Sequence, residues 1–339
     1  MIDNIQARRG LQIALGIVWL LDAALQFQPF MFGRGFATQI IEPAAAGDPG
    51  PVARPLLWSA HLMAAHPVAC NAGFAVVQLA IAAGLLLPRT VRPALAVSVA
   101  WALGVWWLGE GLGGTLTGAS PLSGAPGAVL LYALIAWLVW QRSPLGSGAP
   151  EGAPLRLARA AAAPQMVWSA LWAGFAVYLL LPANRAADAV SQVFAGAGAG
   201  EPGWIRALDL ALAGLTAGHG LAVSVLLAGL CLIAGAAVWV RPLTRPGLVL
   251  AGLLGLLFWV AQAFGGLATG MATDPNSGPL LILLAACFWP AAAKAAALNG
   301  VGAEAAVVSG CRSARADPTH GEGPRVLPVR RARDSRRAA

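Results

Sequence analysis

Asp22 is the residue of this sequence best placed to do chemistry. It lies just past the middle of the apolar run Leu11–Phe30. A carboxylate at that depth costs a few kcal/mol unless it is paired, protonated or wet. Gln26 follows one helical turn later and shares its face. The pair suits a proton, ion or polar-ligand contact. It equally suits a carboxylic acid hydrogen-bonded to a neighbouring helix. Glu110 is the second candidate, set between Gly109 and Gly111 where an apolar run ends. Flanking glycines let a backbone or a ligand approach the acid closely, although a solvated acid at a helix end reads the same way.

His66 and His219 stand at matching entrances to two apolar runs, with His61 and Cys70 close to the first. A metal or haem site would need these side chains to converge. Spacings of five and four residues put His61, His66 and Cys70 only loosely on one helical face, and histidine also suits a polar helix start, so the expectation is no metal and no cofactor. The glycine-rich text after Trp107 contains Gly113, Gly114 and Gly118, and that after Trp259 contains Gly265, Gly266 and Gly270. Successive backbone N–H groups there could cradle an anion, but the lysine and Ser/Thr of a P-loop are missing. Close packing and a re-entrant turn explain the glycines better. There is no Ser-His-Asp arrangement, no HExxH and no other catalytic signature, so an activity as an enzyme by itself is not expected.

The elements that must position these residues are announced by a repeat. Trp107–Pro126 reads WLGEGLGGTLTGASPLSGAP, and Trp259–Pro279 reads WVAQAFGGLATGMATDPNSGP. At an offset of 153, Trp19 meets Trp172, His66 meets His219 and Arg92-Pro93 meets Arg245-Pro246; Gly113-Gly114 meets Gly265-Gly266 at 152. An offset this steady over ~100 positions means an internal duplication. Glu110 meets Gln262, which keeps the shape and loses the charge, and Asp22 meets Phe175, which loses both. The acids are therefore expected in the first half, with the second half a scaffold copy.

Hydrophobic residues make up 58% of the 339 and charged residues 11%. Soluble domains carry about a quarter charged residues, so the long apolar runs read as membrane spans. The expected fold is an all-α membrane protein of eight transmembrane helices, built as two parallel four-helix repeats. The first repeat is 1–141, the linker 142–163, the second repeat 164–298, and 299–339 a disordered basic tail. The spans are expected at Leu11–Phe30, His66–Leu87, Ala94–Leu108, Gly127–Trp140, Pro164–Leu181, His219–Val240, Gly247–Ala263 and Pro279–Ala293. Leu11–Phe30 is not read as a signal peptide, because Asp22 interrupts it, no prompt cleavage site follows, and it has a partner in the second half. An even number of spans per repeat relates the halves by an axis along the membrane normal.

Charge sets the orientation. Only Arg34, Arg54, Arg185 and Arg206, of the 22 Lys and Arg, fall on the side of the glycine-rich hooks. The rest lie at the N-terminus, the two basic turns, the linker and the tail, so both termini are expected in the cytoplasm of a multi-pass cell-membrane protein. The net charge of +8 is concentrated in the tail, which argues for a lipid-facing patch and against nucleic acid. Cys70, Cys231, Cys287 and Cys311 show no CxxC spacing, and the first three read as small apolar packing residues.

Each half has a first span with a polar outer loop, a second span ending in a tight arginine turn (LLLPRTVRP at 85–93, VWVRPLTRP at 238–246) and two further spans. This layout resembles the DoxX-like membrane proteins. The resemblance implies a fused tandem pair of four-helix modules, linked to thiol, sulfur or quinone redox chemistry through a protein partner in the membrane. It transfers no functional residue. Three function classes follow: a DoxX-like membrane subunit supporting redox or stress chemistry, a small-solute or ion transporter with Asp22 and Glu110 in its path, and a non-catalytic membrane scaffold.

Overall fold

A computed structural model of the chain describes residues 5–140 and 154–289. The basic tail, and the linker up to residue 153, lie outside the described residues. Every regular element described is helical. In order these are α1 (Ile5–Leu25), a 3-10 turn (Pro29–Phe32), a π-helical segment (Phe36–Ile41), the single turn α2 (Glu42–Ala44), α3 (Gly50–Ala65), α4 (Pro67–Leu86), α5 (Val91–Leu108) and α6 (Ala128–Trp140). The second half continues with α7 (Pro154–Leu179), α8 (Ala189–Ala197), α9 (Gly203–Thr216), α10 (Gly220–Ala236) and α11 (Arg241–Ala261). It ends with α12 (Ser277–Trp289).

Four helices are long and apolar enough to cross a membrane: Pro67–Leu86, Val91–Leu108, Gly220–Trp239 and Arg241–Ala261. They overlap the second, third, sixth and seventh expected spans, but α5 and α11 begin earlier than expected and take Val91–Pro93 and Arg241–Pro246, read as parts of turns, into the helix. The apolar helices α6 and α12 are shorter, and both run to the edge of the described residues. Helix α1 has 21 residues, enough length for a span, but Arg8, Arg9 and Asp22 lower its hydropathy. Helix α7 starts at Pro154, inside the stretch expected to be linker. Alanine-rich text from Ala158 to Ala163 has high helix propensity and extends the helix backwards.

Helix α1 buries Leu11, Leu15, Trp19, Asp22 and Ala23, and Gln26 just past its end continues the stripe at helical spacing. That stripe lies on α4, and α7 lies on α10 in the same way. The Trp19 indole donates to Ser98 Oγ of α5 at 2.9 Å. Arg9 donates to the carbonyl of Leu85 at 2.8 Å and to that of Leu86, which satisfies the last turn of α4 and suits its negative dipole end. The basic N-terminus therefore stands beside the basic turn at Arg89 and Arg92.

The two hooks share a backbone form that is rare for L-residues. Gly111, Leu112, Gly113 and Gly114 have φ of 55°, 56°, 62° and 69°, and Ala263, Phe264, Gly265 and Gly266 have 47°, 58°, 74° and 69°. Each hook is thus a left-handed turn of four residues, costing roughly 1–2 kcal/mol at each residue with a Cβ. Each also reaches into the opposite half. In the first hook, Thr115 O accepts from the Tyr178 hydroxyl at 2.9 Å and Gly118 O from Asn184 Nδ2 at 2.8 Å. In the second, Ala272 O accepts from Gln28 Nε2 at 3.0 Å. A side chain added at Gly118 would meet Leu181, and one added at Gly270 would meet Gln28. Gly118 and Gly270 correspond in the repeat, as do Gln28 and Leu181.

Candidate acidic cavity

A cavity of about 350 Å³ opens in the first half. Its walls come from α1 and the turn after it (Trp19, Asp22 and then Gln26), α4 (Cys70, Phe74, Gln78), α5 (Trp101, Gly104, Val105) and α3 (Trp58, Leu62, Met63). Glu110 closes it from the first hook, and Thr273 and Asp274 close it from the second. Trp58, Leu62 and Ile40 line it and are also exposed, so the mouth lies beside α3.

Each acid reaches the cavity by a different route. Asp22 belongs to the buried stripe of α1 and is 2% exposed. Glu110 follows the last turn of α5 and stands at the start of α6, where the backbone N–H of Val129 acts on its carboxyl group. A helix N-terminus favours negative charge there. Gly127 must lack a side chain, because a Cβ would strike Glu110 Oε2. Asp274 is fixed by its own turn: Oδ1 accepts from Asn276 N at 2.7 Å, and Oδ2 accepts from Thr273 Oγ1 at 2.8 Å. It lies close enough to act electrostatically on both Asp22 and Glu110.

Burial, and then the neighbouring Asp274 carboxylate, hold the Glu110 carboxyl well above the usual carboxylate range, against the Val129 N–H. Burial also pushes the Asp274 carboxyl up, against the Thr273 hydroxyl and the Asn276 N–H. Asp22 Oδ1, Gln26 Oε1, Gln78 Oε1 and Glu110 Oε2 are buried with no protein partner. Beside them, Asn71 donates to Gln26 O at 2.8 Å, and the Tyr132 ring stacks 4.5 Å from Trp19. The Tyr132 hydroxyl lies against Asp22 but has no partner at bonding geometry. Buried polar atoms left unpaired are costly, so this cluster is built to receive a proton, water or a polar ligand.

At 153 residues on, Asp22, Gln26, Asn71 and Gln78 become Phe175, Leu179, Ser224 and Cys231, each less polar. Phe175 meets Trp172 edge-on at 5.3 Å and Phe258 edge-on at 5.8 Å, and Trp168 packs tilted against Trp172 and Phe288. Aromatic rings stand where the first half has its buried acid.

The structure therefore brings together Asp22, Gln26 and Glu110, and adds Asp274, which the sequence reading passed over. The second half is more than a scaffold copy, since it supplies this acid to the first half's cavity. Gln262 lies elsewhere: it donates to Pro121 O at 3.0 Å and accepts from Ser277 Oγ at 2.9 Å, clasping one hook to the other. His61, His66 and His219 are exposed and do not line the cavity. Among the described residues, no group of three or more His, Cys, Asp or Glu is placed to hold a metal ion. The hook glycines Gly113 and Gly265 serve close approach, since a Cβ at either would strike the backbone of Pro126 or Pro275. Comparisons with family models, curated proteins and solved structures find no match to this chain.

Proposed function

We propose that this is a multi-pass membrane protein that binds a small solute in the acidic cavity and carries it across the bilayer. The observation that carries this reading is the set of three carboxyl groups, from α1 and both hooks, around one open space with unpartnered acceptors. Unpaired buried polar groups weaken a fold, and here they converge on one open space. Discontinuous backbone beside a polar cavity is also the form in which transporter helices present solute sites.

In this reading the chain has eight spans in two parallel halves, with both termini cytoplasmic and the hooks outside. The reciprocal clasps of the hooks support a two-fold relation between the halves, as an isologous contact does in a dimer. Arg9 at the end of α4 supports a common side for the N-terminus and the first basic turn. The lipid bilayer is the one partner this reading requires.

The test is uptake by proteoliposomes of a panel of radiolabelled amines, carboxylates and sugars. At least one class should accumulate with the wild type. Asp22→Asn and Glu110→Gln should each lower its uptake at least tenfold, while Gln262→Ala retains it. Uptake of no class, or equal uptake by all four proteins, would sink the transport reading.

A further inference from the structure

The walls of the cavity specify the charge of what it holds. Asp22, Glu110 and Asp274 line it, and among the described residues no lysine, arginine or histidine does. The unpartnered buried atoms on it, Asp22 Oδ1, Glu110 Oε2, Gln26 Oε1 and Gln78 Oε1, are acceptors. Burial holds the Glu110 carboxyl toward its neutral form, and a cation in the cavity would favour the ionised form, whose oxygens only accept. An ammonium ion would supply both the donors and the charge.

The remaining wall is mostly apolar, with aromatic rings set among aliphatic side chains. Trp19, Trp58 and Trp101 line the same space, and Trp101 meets the Phe74 ring edge-on at 5.7 Å. Aromatic faces attract cations, indole most strongly, and cover apolar bodies. A volume of about 350 Å³ is in the usual range for a small organic ligand and far more than an inorganic cation needs. Carboxyl groups beside an apolar wall that carries three indoles suit an organic cation.

Resting on the solute-binding reading above, we propose that the cavity takes a small organic ammonium ion with an aromatic or alkyl body. Its N–H groups meet Asp22 and Glu110, and its body lies among Trp19, Trp58 and Trp101. Asp274 contributes charge from the second half, while its oxygens stay engaged in the turn.

The experiment is equilibrium dialysis of radiolabelled phenethylamine, 2-phenylethanol and phenylacetate against the detergent-purified full chain at neutral pH. The three differ in charge and share a similar body. Phenethylamine, protonated under these conditions, should bind saturably and at least tenfold more tightly than the other two. Asp22→Asn and Glu110→Gln should each weaken it at least tenfold. Trp101→Leu, which leaves every carboxyl group in place, should weaken it about threefold or more. Size-exclusion chromatography establishes that each variant is folded. If the alcohol or the acid binds in an Asp22-dependent way and the amine does not, the ammonium proposal falls and the solute-binding reading stands. If none of the three binds, or if binding ignores Asp22 and Glu110, the ammonium proposal falls, and the uptake panel alone decides the solute-binding reading.

Discussion

Glu201 and Asp209 illustrate how single residues carry cost in this molecule. Their four carboxyl oxygens are buried with no protein partner, and Glu201 feels Asp209 directly. Burial first, and then Asp209, push the Glu201 carboxyl up from its usual range. A carboxyl raised in the folded state contributes fully below its unfolded pKa, and that contribution is lost as pH rises through the folded value. Glu201→Gln removes the charge that causes the loss. Its thermal unfolding midpoint in detergent should exceed that of the wild type at pH 8 and match it near pH 4. A lower midpoint at pH 8 would mean that the carboxylate is held by a favourable partner. The two acids at the cavity that sequence revealed, Asp22 and Glu110, stood out because apolar or glycine-only text surrounds them. Asp274 did not, because TDPNSG reads as an ordinary turn and the repeat aligns it with the uncharged Ser120. Ser120 makes the same kind of turn, its Oγ accepting from Leu122 N at 3.2 Å. The role of Asp274 depends on where the second hook lands, which no local pattern encodes.

At the scale of the element, the hooks divide into what glycine permits and what tertiary structure imposes. Gly113 has φ +62° and would place a Cβ against Pro126 O; Gly265 has φ +74° and would place one 2.8 Å from Pro275 O. Gly113→Ala and Gly265→Ala should each destabilise the protein by about 2 kcal/mol or more, from left-handed strain plus the clash. Gly229→Ala is the control, since a Cβ there meets nothing within 4 Å and alanine favours the helix. Its midpoint in thermal unfolding should equal or exceed the wild type, while the hook variants fall well below. Equal midpoints for all three would show that the hooks bear no strain. The glycines marked these turns in the sequence. The left-handed form did not, because Leu112, Ala263 and Phe264 resist it locally and adopt it only under packing. The beginning of α7 was hidden for the opposite reason: Arg156 and Arg159 suggested a linker, while the alanines around them favour a helix.

At the scale of the whole molecule, the expected spans that show as membrane-length apolar helices are α4, α5, α10 extended to Trp239, and α11, while α6 and α12 are apolar but shorter among the described residues. In α1, Arg8, Arg9 and Asp22 lower the hydropathy that would mark a span, so the feature that makes Asp22 visible also hides the helix. The relation between the halves is the larger question, because a parallel pair and an inverted pair place the basic turns differently. In the proposed parallel layout, Arg89 and Arg241 lie on one side of the membrane and the hooks on the other. Arg89, Thr117 and Arg241 are all exposed, so each can be read by labelling. With Cys70, Cys231, Cys287 and Cys311 changed to Ser, the variants Arg89→Cys, Thr117→Cys and Arg241→Cys would be treated with a membrane-impermeant maleimide. Intact cells should label only Thr117→Cys, and inside-out vesicles should label only the other two. Labelling of Arg89→Cys and Arg241→Cys from opposite sides would demand an inverted repeat and overturn the parallel plan. The cavity gives that geometry its consequence: with parallel halves both hooks arrive at one face, and Asp274 can join Glu110 above Asp22.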